Sequence, residues 1–225
     1  MKWLWLLMVL ACAGLQAADY PRTVTDLAGR QVTLIHAPQR IVLQDSNDLL
    51  SLALLERENP LARVVAWDNN LASSDPGLWK VVSQRWPEAK SIRELDFPQT
   101  GQLDIESLLR THPDLIVARL GARAAIENTV LDSVLQRLGI ALIYVDNELD
   151  PLVNVPRSLE LLGQALNRDE QASAYLAVYR QQLADLKRRS HGLPAPKVFV
   201  EARAGQAGAG GCCHTQGHSG WGLLV

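Results

Sequence analysis

The sequence predicts an α/β protein: a parallel-sheet N-terminal lobe, a single long interdomain helix, and the start of a second α/β lobe. Three observations carry this. Short runs of Ile, Val and Leu at 41–43, 64–66, 115–117 and 141–145 alternate with helical patterns. Uninterrupted apolar strands need cover on both faces, and parallel sheets have it. After Asp150-Pro151 the pattern becomes wholly helical and ends in a stretch from Asp169 to Ser190, about 33 Å long at 1.5 Å per residue. Gly192, Pro194 and Pro196 stop that helix, and residues 197–201 read as a new strand.

Each element has its own warrant. Lys2, an apolar run over 3–14 and small residues at Ala17 and Ala18 make 1–17 a secretory signal, cut after Ala17 or Ala18. Val9-Leu10-Ala11-Cys12 also fits a lipidation box, the lesser reading, because so few residues separate Lys2 from Cys12. Residues 23–25 and 31–35 alternate around the turn Asp26-Leu27-Ala28-Gly29 and predict a hairpin. Helices are expected at 47–56, 104–112 and 126–138. Asp104 is placed to cap the second of these, Glu106 stands in its first turn, and Pro113 ends it. Leu159, Leu162 and Leu166 form one apolar stripe. Ala172, Tyr175, Leu176, Tyr179, Leu183 and Leu186 form another, separated from the first by a break at Asn167-Arg168-Asp169.

The domain boundaries follow: signal 1–17, N-terminal lobe 18–150, helical segment 151–192, and an incomplete C-terminal lobe 193–225. So short a second lobe cannot supply its own core. Ala172, Tyr175, Leu176 and Tyr179 are therefore expected to be partly uncovered, and ligand binding by this length of chain to be weak.

Composition excludes several classes. The chain has 225 residues, 48% of them hydrophobic and 20% charged, with formal charge −2. These values argue against disorder, collagen or a coiled coil, and the absence of a basic run argues against nucleic acid. The exported chain keeps Cys212-Cys213 as its cysteine pair. Neighbouring α-carbons are about 3.8 Å apart, too close for the usual disulfide, so the core must supply the stability. GxSxG, Walker and HExxH motifs are missing from the sequence, which argues against an enzyme.

Five segments stand out in order: 23–30 (Thr-Val-Thr-Asp-Leu-Ala-Gly-Arg), Pro38-Gln39-Arg40-Ile41-Val42, Leu103-Asp104-Ile105-Glu106, Pro113-Asp114-Leu115-Ile116-Val117, and Leu161-Leu162-Gly163-Gln164-Ala165-Leu166. Through them the chain resembles the periplasmic substrate-binding proteins of ABC importers for ferric siderophores, haem and cobalamin. The ferric-siderophore branch is nearest. The resemblance implies a monomer in the periplasm that closes two lobes on an iron chelate and delivers it to an inner-membrane permease, with no resident cofactor or metal.

Ligands of open parallel sheets sit beyond the carboxyl ends of the strands. That rule nominates Gln44, Asp45, Ser46 and Asn47, then Trp67, Asp68 and Asn69, then Arg119, then Asp146 and Asn147, with Arg203 in the second lobe. Asp45, Asn47, Trp67, Arg119 and Arg203 are the preferred contacts. Each also fits a turn or cap role. Guanidinium suits the oxygen anions of a ferric chelate, which favours Arg119 and Arg203. His214, His218 and Trp221, in a glycine-rich segment, suit flat rings and metal chelates. Direct metal binding by Cys212, Cys213, His214 and His218 is a second reading, as are haem, cobalamin or a non-functional fragment. Glu106 falls where the family presents a carboxylate to an arginine of the permease.

Overall fold

The computed structural model describes residues 20–97 and 104–194. The signal segment, Cys12, the strand expected at 197–201, Arg203, Cys212, Cys213, His214, His218 and Trp221 lie outside the described residues. An antiparallel hairpin opens the fold, β1 (Arg22–Thr25) with β2 (Gln31–Leu34). Its turn uses Gly29 at φ 79°, a left-handed conformation that suits glycine.

Five parallel strands follow: β3 (Ile41–Leu43), β4 (Val64–Trp67), β5 (Arg93–Glu94), β6 (Leu115–Arg119) and β7 (Ala141–Val145), ordered β5-β4-β3-β6-β7. Alternation along each strand divides the core in two. Ile41, Leu43, Trp67, Leu115, Val117, Ile143 and Val145 face one layer, while Val42, Ala66, Ile116, Ala118, Leu142 and Tyr144 face the other. Both layers are covered, which is why these strands are apolar at successive positions.

The crossover segments are less regular than their sequence suggests. The helix expected at 47–56 starts as a 3-10 turn (Ser46–Asp48) and continues as α1 (Leu49–Leu55). Between β4 and β5 lie α2 (Asn70–Ser74), α3 (Pro76–Arg85) and a further 3-10 segment, none of them expected. Asp75 caps α3 by accepting from Leu78 N–H, and Pro76 starts it. Next is α4 (Ile105–Leu109), capped by Asp104 through Ser107 N–H. The helix expected at 126–138 is two, α5 (Arg123–Glu127) and α6 (Leu131–Leu138), divided at 128–130. α6 ends at Gly139, φ 69°.

After β7, Asp150 caps α7 (Pro151–Leu166), and α8 (Asp169–Ser190) runs the full 22 residues expected. Asn167 turns the chain between them at φ 55°. Gly163 lets the pair approach closely, since a Cβ there would lie 2.6 Å from that of Ala172. Pro156 inside α7 has no N–H for the carbonyl of Leu152, and the hydroxyl of Tyr179 on α8 donates to that carbonyl at 3.3 Å. One expectation is corrected here. Ala172 and Leu176 are buried against the first lobe, because the first turns of α8 pack on α1 and α7. The large apolar residues α8 leaves exposed are Val178 and Leu186.

The hairpin lies beside β7. Leu27 N–H donates to Tyr144 O, Tyr144 N–H to Asp26 Oδ2, and Arg30 Nη2 to Leu142 O. The Arg30 guanidinium sits 4.4 Å from the Tyr144 ring centroid, and its Nε donates to the buried Asp26. Among the described residues no helix is long and apolar enough to cross a membrane.

Candidate functional site

The sheet order places a switch at its centre. From β3 the chain winds outward to β4 and β5, then returns to the other side of β3 as β6 and β7. Adjacent connections leave in opposite directions there, which opens a crevice at the carboxyl ends of β3 and β6. The residues that follow those two strands meet in it. Gln44 continues the ladder to Val117 O and accepts Arg119 N–H on its Oε1 at 3.0 Å. Arg119 closes β6 and directs Nη1 at Asp45 Oδ2 and Glu148 Oε1, both at 2.7 Å. Its Nε is buried without a partner among the described residues.

Asp45 is a cap and a counterion together. Its Oδ1 accepts from Asn47 N–H and Asn47 Nδ2, both at 2.9 Å, which folds Asn47 back onto the 3-10 turn. Ser46 is buried, its Oγ accepting from Leu71 N–H. Asn147, after β7, donates Nδ2 to Asp48 Oδ1 at 2.7 Å. Asp48 Oδ2 and Asn147 Oδ1 are buried without partners among the described residues. Burial, and then the charge of Asp45, push the Asp48 carboxyl up to about 8.

The neighbouring Asp146 behaves in the opposite way. Burial raises its pKa, but the N–H groups of Leu149, Glu148 and Asp150 and the amide of Asn154 donate to it and hold it below its ordinary value. Those bonds fix the backbone of the turn that carries Glu148. Guanidinium, carboxylate and amide groups in this arrangement offer charge and hydrogen bonds at the end of the sheet.

Of the residues nominated from sequence, the structure brings Asp45, Asn47 and Arg119 together. Trp67 is a correction: it still belongs to β4, its side chain is 0% exposed, and it packs edge-on to Trp79 at 6.0 Å. Alternation turns the indole into the core layer, away from solvent. Asp48 and Glu148 join the site without a strong sequence signal. Asp48 has the pattern of an ordinary first-turn residue of a helix, and the only pointer to Glu148 is its place in the polar run after β7.

Glu106 stands elsewhere on the surface. Its side chain is 75% exposed and pairs with Arg110 on a shallow groove of about 550 Å³ lined also by Ile105, Leu109 and His112. Arg40, just before β3, bonds the carbonyls of Thr111 and His112, so α4 ends at the amino side of the sheet and starts toward the carboxyl side.

This architecture matches the TroA-like periplasmic binding protein FepB from Veillonella parvula with a TM-score of 0.73 at 24% identity, covering 80% of this chain and 53% of that one. The chain has the fold of a TroA-like periplasmic binding-protein lobe. The siderophore-binding protein BauB, solved with acinetobactin and ferric iron, shares the fold at a TM-score of 0.56 and 19% identity, over 82% of this chain and 59% of that one. Among curated proteins, the ferric enterobactin-binding periplasmic protein FepB of Escherichia coli O6:H1 is 29% identical over 198 residues, 86% of this chain and 57% of that one. The chain thus spans about half the length of the relatives it matches. No family model matches it. In a lobe of this TroA-like fold, the cluster around Arg119 occupies the end of the sheet where ligands of open parallel sheets are held.

Proposed function

We propose that this chain forms the ligand-receiving lobe of an extracytoplasmic solute-binding component of an ABC importer. Its cargo is an iron-siderophore-type chelate, taken up in the periplasm and passed to a permease in the inner membrane. The role is capture and delivery, not catalysis. The observation that supports this reading best is the position of Arg119, partly exposed at the switch between β3 and β6 and held there by Gln44 and Asp45. The likeness to a ferric enterobactin-binding protein supports the same cargo class. Ferric chelates present oxygen anions, and a guanidinium fixed by its own hydrogen bonds meets them without losing much freedom. Glu106 is the docking residue for the permease in this reading.

Thermal melting and calorimetric titration with ferric enterobactin, haem, cobalamin and free ferric ion test the proposal. A specific ligand raises the melting temperature by mass action. Ferric enterobactin is expected to give a saturable rise at the high concentrations that weak binding by this length of chain requires, and Arg119→Gln to weaken its binding about tenfold or more, the scale of a charge-assisted hydrogen bond. A rise confined to haem, cobalamin or free metal rejects the cargo class, and no rise with any of them rejects the binding role.

A further inference from the structure

Arg119 is engaged by the chain's own carboxylates. Both bonds from its Nη1 go to carboxylates, and the two are not equivalent. The Asp45 side chain is 3% exposed and holds Asn47 with its other oxygen, so losing it would strand a partly buried cation and uncap the turn after β3. The Glu148 side chain is 56% exposed, in the range where ion pairs contribute little to stability. Arg119 Nε is buried, so an oxygen anion from solvent reaches the guanidinium through its Nη groups, and of the two carboxylates on Nη1 the exposed one is Glu148.

We propose that Glu148 is an internal stand-in for the ligand, a displaceable carboxylate that occupies Arg119 until an oxygen anion of the iron chelate replaces it. This rests on the reading of the strand ends as the ligand site. The turn is built for such an exchange. Asp146 accepts from the N–H of Glu148 itself, of Leu149 and of Asp150, so the backbone stays fixed while the exposed side chain swings away. Because one anion is traded for another at a fixed cation, the device selects by charge. A negatively charged chelate replaces what Arg119 loses, whereas a neutral chelate leaves Glu148 in place. Glu148 is therefore a specificity-determining residue that holds down affinity for anionic cargo and keeps Arg119 satisfied when the site is empty.

The test compares the full chain with its Glu148→Gln, Arg119→Gln and doubly substituted forms, using ferric enterobactin as the anionic probe and ferrichrome as the neutral one. Glu148→Gln is expected to bind ferric enterobactin about three- to tenfold more tightly, the scale of an exposed pair plus one removed like charge. Ferrichrome affinity should not change, and the gain should vanish when Arg119 is also replaced. Where ferric enterobactin binds, an equal change for both probes, no gain, or a gain that survives without Arg119 overturns the proposal. Sulfate against chloride at constant ionic strength gives a readout that needs no siderophore. A sulfate-specific rise in melting temperature in Glu148→Gln, lost in the double variant, supports the exchange even if neither chelate binds, in which case the cargo reading alone fails. No sulfate-specific rise together with no chelate gain overturns it.

Discussion

Asp48 is in an unfavourable position for a carboxylate: it is buried, one oxygen meets Asn147, and the other meets nothing among the described residues. The folded chain keeps it protonated up to about pH 8, whereas the unfolded chain ionises it near 3.8. Its contribution to stability is therefore fully present below about pH 3.8 and is lost as pH rises through about 8. Asp146, with its lowered pKa, acts with the opposite sign, contributing above its unfolded pKa and losing that contribution as pH falls. Asp48→Asn keeps the shape and an acceptor for Asn147 while removing the charge. We expect it to leave stability nearly unchanged at about pH 4 and to raise it at about pH 9 by about 2 to 5 kcal/mol, since each pH unit between the folded and unfolded pKa values is worth about 1.4 kcal/mol. Denaturant titrations at the two pH values check this, and a variant that is less stable under the alkaline condition would show that the ionised carboxylate is the tolerated form.

The α7–α8 pair, held by its packed faces, also carries a local compensation at one turn. Pro156 removes the donor that would satisfy Leu152 O, and Tyr179 on the other helix supplies one. Such a bond is worth about 0.5 to 1.5 kcal/mol, and its exposed setting places it at the lower end. Tyr179→Phe is expected to cost about 0.5 kcal/mol in the natural background. In Pro156→Ala, which restores an N–H for Leu152 O, the same change should cost less. Equilibrium denaturation of the four combinations measures the coupling, and strictly additive effects would show that Tyr179 acts only by packing. The same two helices show what sequence periodicity can and cannot convey. The stripe of Leu159, Leu162 and Leu166 is legible because a buried face repeats every three or four residues, and the length of α8 because its apolar residues keep that spacing to Leu186, although only Ala172 and Leu176 are buried. The pairing of Pro156 with Tyr179 is not, because it depends on how two helices cross.

At the scale of the whole molecule, β3, β6, β7 and the hairpin are legible because both faces of each sheet strand are buried and turn chemistry marks their ends. The helices of 70–85 are not: α3 has only Val82 among its apolar residues fully buried, so its sequence carries little stripe, although Asp75-Pro76 marks its start. The site is legible as a set of strand ends and illegible as a set of pairs. Arg119 and Asp45 are 74 residues apart in sequence, and nothing local to either names the other. Glu106 belongs to this scale because its proposed partner is another protein. Glu106→Ala is expected to reduce importer-dependent uptake in cells while leaving ferric enterobactin affinity unchanged. It should cost no more than about 1 kcal/mol of stability through the helix dipole and the Arg110 pair. Uptake equal to that of the unsubstituted protein would reject the docking role.

The hairpin beside β7 has a consequence for the company the sheet can keep. A parallel sheet ends in two margins, each able to recruit a strand from another chain. On one side the margin is β5, only two residues long. On the other, the carbonyl of Leu142 and both the N–H and the carbonyl of Tyr144 are taken by Arg30, Asp26 and Leu27. The bond from Tyr144 to Asp26 joins residues 118 apart, so this protection forms only after both ends of the lobe have come together. Resistance to unwanted strand addition is thus a property of the finished fold, carried by the hairpin on behalf of β7, the last strand among the described residues.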